Sequence, residues 1–233
     1  PGPAVIGPSE LRAEDGQLDR LAAVALEVLP DRAGSSNDPE VVLRELYALG
    51  RDPFFVVAQV EKQSVYVGEP VVVTWMMYNA AAVQQWQVVT MPKLADFWSE
   101  DLTRKSAAER EYLGDVMVQK LPVRRVALYP LRSGSLRVEG LTVEGAIMRR
   151  TRTGPFAMLD GELVEATFTS APVDLEVKPI PEGPPVDAVG ELSLACETPA
   201  QRGSGPVVLR VALSGLGNVR AADPPRFESG VAG

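Results

Sequence analysis

The stretch VYVGEPVVVTWMMYN, residues 65–79, decides the fold. From Val71 onward its side chains alternate between two faces, and both faces are apolar: Val71, Val73, Trp75 and Met77 on one, Val72, Met76 and Tyr78 on the other. A strand with that pattern belongs in the middle of a protein, covered above and below. Gly68 turns the chain toward it, and Pro70 stands at its entry, where no ladder donor is needed. Just upstream, SVYV (64–67) reads as the place where a first strand switches edge.

Outward from this strand the period stays at two, with turn residues every eight to twelve positions, as in a β-sandwich. Strands are expected near 54–60, 71–78, 85–90, 115–121, 124–130, 134–140, 163–170 and 173–179. The phrase YPLRSGSLRVEG ends one strand at Pro130, turns at Ser133 and Gly134, and returns in alternation.

Upstream, residues 9–50 read as helical. Leu18, Leu21, Ala25 and Leu29 fit a helical stripe that Ser9 can cap and Pro30 ends. A second helix is clearer: Asp38 as N-cap, Pro39 at the first helical position, Gly50 beyond the last turn, and Val42, Leu46 and Leu49 on one face. Downstream, PIPEGPPVDAVG (179–190) reads as an inter-domain linker, followed by GELSLACETPA, GPVVLRVALSG and PPRFESG as the start of a second β domain. The expected organisation is a helical connector over 1–53, an immunoglobulin-like sandwich over 54–180, and an incomplete second sandwich over 185–233.

Composition excludes much of chemistry. The chain of 233 residues contains no histidine, which removes Ser-His-Asp and Cys-His catalysis and His-ligated zinc. Its one cysteine, Cys196, can form no internal disulfide and reads as a small buried hydrophobe on a strand. A formal charge of −8 repels nucleic acid and anionic membrane. No apolar run reaches the roughly 18 residues of a membrane helix, and the first residues lack a signal-peptide pattern.

The stretch LSGLGNV (213–219) poses a choice between a phosphate loop and a turn. Gly215 and Gly217 lack the third glycine and the helix that a dinucleotide site needs, and Pro224 and Pro225 follow. A strand-ending turn is expected, with Asn218 tolerating a left-handed backbone.

Three phrases together resemble the BatD family of bacterial aerotolerance proteins: residues 65–79, LYPLRSGSLRVEGLTVEG (128–145), and PPVDAVGELSL with LSGLGNV. The family's Gly-Ala-Val-Gly phrase corresponds to Asp187–Gly190 here, and its Gly-x-Gly-Asn mark to Gly215, Gly217 and Asn218. The helix DPEVVLREL is similar to one ahead of an immunoglobulin-like domain in such proteins. The resemblance covers residues 38–233. It implies an all-β protein of tandem immunoglobulin-like sandwiches on the periplasmic side of the inner membrane, anchored only through segments outside this sequence. It also implies association with von Willebrand A-domain membrane proteins and a MoxR-type ATPase, with no cofactor and no enzymatic activity, in a stress response to oxygen.

Several residues are candidate sites. Asp96, Glu100 and Asp101 could surround calcium but lack the ligand grammar of a calcium loop, so a solvated acidic loop is favoured. Glu109, Glu111 and Asp115 offer carboxylate pairs for glycosidase chemistry that no spacing rule selects. Trp86, on a strand, and Phe97 and Trp98, in a loop, are candidate partner anchors or else cover the sandwich ends. Arg124, Arg125, Arg149, Arg150 and Arg152 form either a basic patch or a charged, protected edge. The expected function is a protein-binding scaffold, with carbohydrate or cell-wall binding as the alternative.

Overall fold

A computed structural model describes residues 34–150 save 35, 161–183, 186–197 and 210–219, together with the backbone of four strands within residues 2–28. These four are β1 (Gly2–Ile6), β2 (Ser9–Arg12), β3 (Leu18–Leu21) and β4 (Val24–Val28). The helix expected over residues 9–30 is therefore not formed. β1 pairs with β4 and β2 with β3, antiparallel, and both pairs share one register from Gly2↔Val28 to Arg12↔Leu18. Leu18 and Leu21 therefore belong to β3, paired with β2, and not to a helical stripe.

The second expected helix is present as α1 (Pro39–Ala48). Asp38 caps it through Oδ1, which accepts from the amide of Glu40 at 2.9 Å, and Gly50 takes the left-handed φ of 62° beyond its end. Val42, Leu43 and Leu46 are buried on its inner face.

The remaining elements are strands: β5 (Phe54–Val60), β6 (Ser64–Tyr66), β7 (Val71–Asn79), β8 (Val83–Thr90), β9 (Phe97–Asp101), β10 (Glu109–Leu113), β11 (Val116–Pro130), β12 (Gly134–Val138), β13 (Thr142–Arg150), β14 (Gly161–Thr169), β15 (Val173–Lys178), β16 (Gly190–Glu197) and β17 (Arg210–Gly217). The described chain is thus mostly β. In one sheet β5, β7 and β11 lie side by side, and β10 and β9 pair with the two ends of β11. The strands expected at 115–121 and 124–130 are one strand, irregular between Pro122 and Arg124 where a proline cannot donate to the ladder.

The second layer is a continuous antiparallel pair with a break. Val138↔Val173 of β12 and β15 is in register with Thr142↔Thr169 of β13 and β14. At the break the amide of Leu141 donates to Ser170 Oγ at 3.1 Å, and the Ser170 amide donates to the Leu141 carbonyl at 3.0 Å. Gly140 permits this closeness, since a Cβ there would stand 2.2 Å from the Ser170 carbonyl oxygen. β8 flanks β13 on one side, and β6 runs parallel to β15 on the other.

Side chains from both layers and from α1 form one apolar cluster, with Val73, Trp75, Leu128, Leu141 and Val143 fully shielded. β7 has both faces covered, as its sequence requires. Asn37 fastens the free side of β5: its Oδ1 accepts from the Ala58 amide at 2.9 Å, while its Nδ2 donates to the carbonyls of Ala171 and Pro172.

Candidate functional site

β8 is the outer strand of its layer, pairing only with β13. Its sequence, VQQWQVVT, carries no charge, proline or glycine, and six of its eight residues are exposed. The pairing shifts register between Thr142 and Val143 and again between Ala146 and Ile147, which leaves Gln85–Val88 as a regular window between two bulges. Opposite this window stand Ala146, Gly145, Glu144 and Val143.

Alternation assigns the two sides of the window. Val143 is buried, and a Cβ on Gly145 would stand 2.7 Å from the Phe54 ring, so these residues and their partners Val88 and Trp86 face the core. Trp86 is nevertheless 37% exposed, because β8 is at the rim and nothing described lies beyond it. Gln85 and Gln87 face out. There they line a shallow depression of about 220 Å³ with Glu144 and Glu165. Glu144 accepts from the Gln87 amide group at 3.3 Å, and Glu165 has no ion pair among the described residues.

Phe97 and Trp98 lie on β9 rather than in a loop. Strand alternation separates them: Phe97 is buried in the core, whereas Trp98 is 52% exposed and rests on Tyr129 with ring centroids 4.8 Å apart. Trp86 and Trp98 belong to different sheets, so the three aromatics do not form one surface.

Three of the acidic candidates, Asp96, Asp101 and Glu111, are individually committed. Asp96 accepts a two-pronged hydrogen bond from Arg132 at 2.8 and 2.9 Å, and this partner holds its carboxyl below the usual range. Asp101 accepts from Thr103 at 2.8 Å, which lowers its pKa likewise. Glu111 pairs with Lys120 at 3.0 Å, raising the lysine's pKa. No group of three or more potential metal ligands is found among the described residues. The arginines also disperse: Arg124 reaches Met91 and Asp101, Arg125 reaches Glu61, and Arg149 reaches Asp52. The Arg150 side chain and Arg152 lie outside the described residues.

Cys196 is exposed on β16, not buried as its apolar neighbours suggested. Gly215 and Gly217 are inside β17, opposite Leu192 and Gly190, so the glycine stretch is strand before it is turn. Gly215, at φ 142°, could not carry a side chain: a Cβ would stand 2.1 Å from the Glu191 carbonyl oxygen. Asn218 follows the strand, its amide donating to the Val189 carbonyl at 3.0 Å. PPRFESG lies outside the described residues.

The sequence announces a strand at 85–90 with Trp86 on it, but not that this strand is an open edge, although its eight residues carry no charge. No family model matches the chain, and no curated protein matches it significantly.

Proposed function

We propose that this chain is a non-enzymatic, protein-binding scaffold of the bacterial envelope, built from immunoglobulin-like domains and acting on the periplasmic side in the manner of the BatD proteins it resembles. Its partners in this reading are von Willebrand A-domain membrane proteins linked to a MoxR-type ATPase. The observation that carries the fold half is strand order. β5, β7, β11 and β9/β10 follow the A-B-E-D order of an immunoglobulin sheet, and β8, β12/β13, β14/β15 and β6 follow C-F-G with an added A′ strand. The β16–β17 pair after the linker is then the start of a second such domain. The binding half is supported by the exposed Trp98 resting on Tyr129 and by the open β8 edge, both features that suit protein contact.

The test is a pull-down from detergent-solubilised envelope with wild type and Trp98→Ala, whose fold is checked by a thermal melt. Phe97 is left intact because it belongs to the core. Recovery of a von Willebrand A-domain protein, reduced by Trp98→Ala at an unchanged melting profile, supports the scaffold. Failure to recover any such protein with wild type overturns it. Cell-wall binding would want aromatics in a row on one sheet face, and Trp86 and Trp98 stand on different sheets.

A further inference from the structure

Sheet edges in this protein are defended in recognisable ways. β5 is buried and tied by Asn37, β6 is three residues long, and β9, β10, β12 and β14 each carry charge. The strands of the three two-stranded sheets, β1–β4, β2–β3 and β16–β17, each carry a charge or a proline as well. Among the described residues β8 alone is an exposed edge of ordinary length without charge or proline. Such an edge is a template for another strand, because its outward amides and carbonyls can be matched only by extended polypeptide.

We propose that the Gln85–Val88 edge binds an extended segment of a partner protein, apolar toward the Trp86 rim and basic on its outer side. This rests on the protein-binding reading and names the contact. The two sides of the window specify the segment. Inward, a small apolar side chain would pack beside Trp86 and Val88, which are part-exposed where the sandwich ends. Outward, a long basic side chain on the segment can reach across Gln85 and Gln87 toward Glu144, one strand further in on β13, while Glu165, a strand beyond it on β14, adds to the negative field. Lysine or arginine there meets opposite charge, whereas an acidic segment is repelled. The bulges at either end limit the match to four residues, about 13 Å of strand. That length suits a short peptide. A second copy of this chain fits poorly: its own β8 has no base to answer the carboxylates, and four paired residues fall short of the roughly 1,000 Å² that a stable interface buries.

The experiment uses the full chain, labelled with ¹⁵N, and two acetylated eight-residue probes, one alternating valine with lysine and the other valine with glutamate. The lysine probe is expected to bind with a Kd of about 100 µM, about tenfold tighter than the glutamate probe, with the gap narrowing as salt rises. Amide exchange at alternate residues within 85–88 slows on binding, a signature that adsorption to a carboxylate cluster does not give. Glu144→Lys combined with Glu165→Lys, both at the surface, inverts the preference at an unchanged melting profile. The proposal is overturned if neither probe binds at 1 mM, if the slowed amides lie elsewhere, if the double variant keeps the original preference, or if ultracentrifugation shows the edge already occupied in a dimer. Because no envelope protein takes part, its failure is separable from that of the scaffold: loss of probe binding with the von Willebrand partner still recovered sinks the edge alone.

Discussion

Tyr78 shows how one side chain ties packing to pH. Its ring is buried and stacks on Phe55 at 5.4 Å, 13° from parallel, while its hydroxyl accepts from Gln59 Nε2 at 3.3 Å. Burial pushes the phenol above its ordinary pKa of 10.0, with Lys120 opposing part of the effect. The folded protein therefore keeps a proton that the unfolded chain gives up. Stability from this group is whole below pH 10.0 and declines as pH rises past it. Lys62 and Lys120, raised by their carboxylate partners, decline over the same alkaline range, so a single-residue comparison is needed. Tyr78→Phe is expected to cost about 0.5–1 kcal/mol at neutral pH for the long hydrogen bond it loses. Above pH 10 the gap between wild type and variant should close, as seen in denaturant midpoints at a series of pH values. A gap that widens with pH would contradict the burial argument.

Among the elements, the connector from Gly34 to α1 is where the sandwich is fastened. The Gly34 amide donates to the Thr169 carbonyl at 2.7 Å, and three residues later Asn37 bonds both β5 and the link between β14 and β15. Asn37→Ala strands the Ala58 amide on a buried strand and frees two carbonyls, a cost expected near 2 kcal/mol. Asp38→Ala removes only a helix cap, about 1 kcal/mol. Equal melting shifts for the two would mean that Asn37 is no more than part of the cap. The same connector shows what could be read from sequence. Asp38, Pro39 and Gly50 announce α1 because capping is local chemistry, and β5 and β7 are legible because their apolar runs admit one period. β13 escaped because Gly145 and the two arginines interrupt an alternation whose meaning depends on Phe54, distant in sequence, filling the space above that glycine. β9 reads as a loop because its neighbours Pro92 and Asp96 signal turns, and only its pairing with β11 makes Phe97 and Trp98 face opposite ways. The β8 site shares this origin, since strand position in a sheet is a long-range fact.

At the scale of the whole molecule the apolar cluster is unevenly placed. It gathers residues from Val42 to Val177 and includes none from β16 or β17. In that pair Leu194 is 70% and Leu216 is 78% exposed, and the link to the sandwich includes the surface pair of Lys62 with Glu191 at 2.9 Å. An exposed ion pair contributes under about 1 kcal/mol, and a two-stranded ribbon without a covered face is marginal in water. Opening of β16–β17 should therefore cost far less than global unfolding. Native-state hydrogen exchange is expected to show the amides of Leu192–Cys196 exchanging about a thousandfold faster than those of Val73–Met77, a gap of roughly 4 kcal/mol in opening free energy. Lys62→Ala should leave the slow β7 amides unchanged, since no core contact is lost. If instead Leu192–Cys196 are as protected as β7, the exposed leucines have a cover in solution, supplied by contacts beyond the described pair.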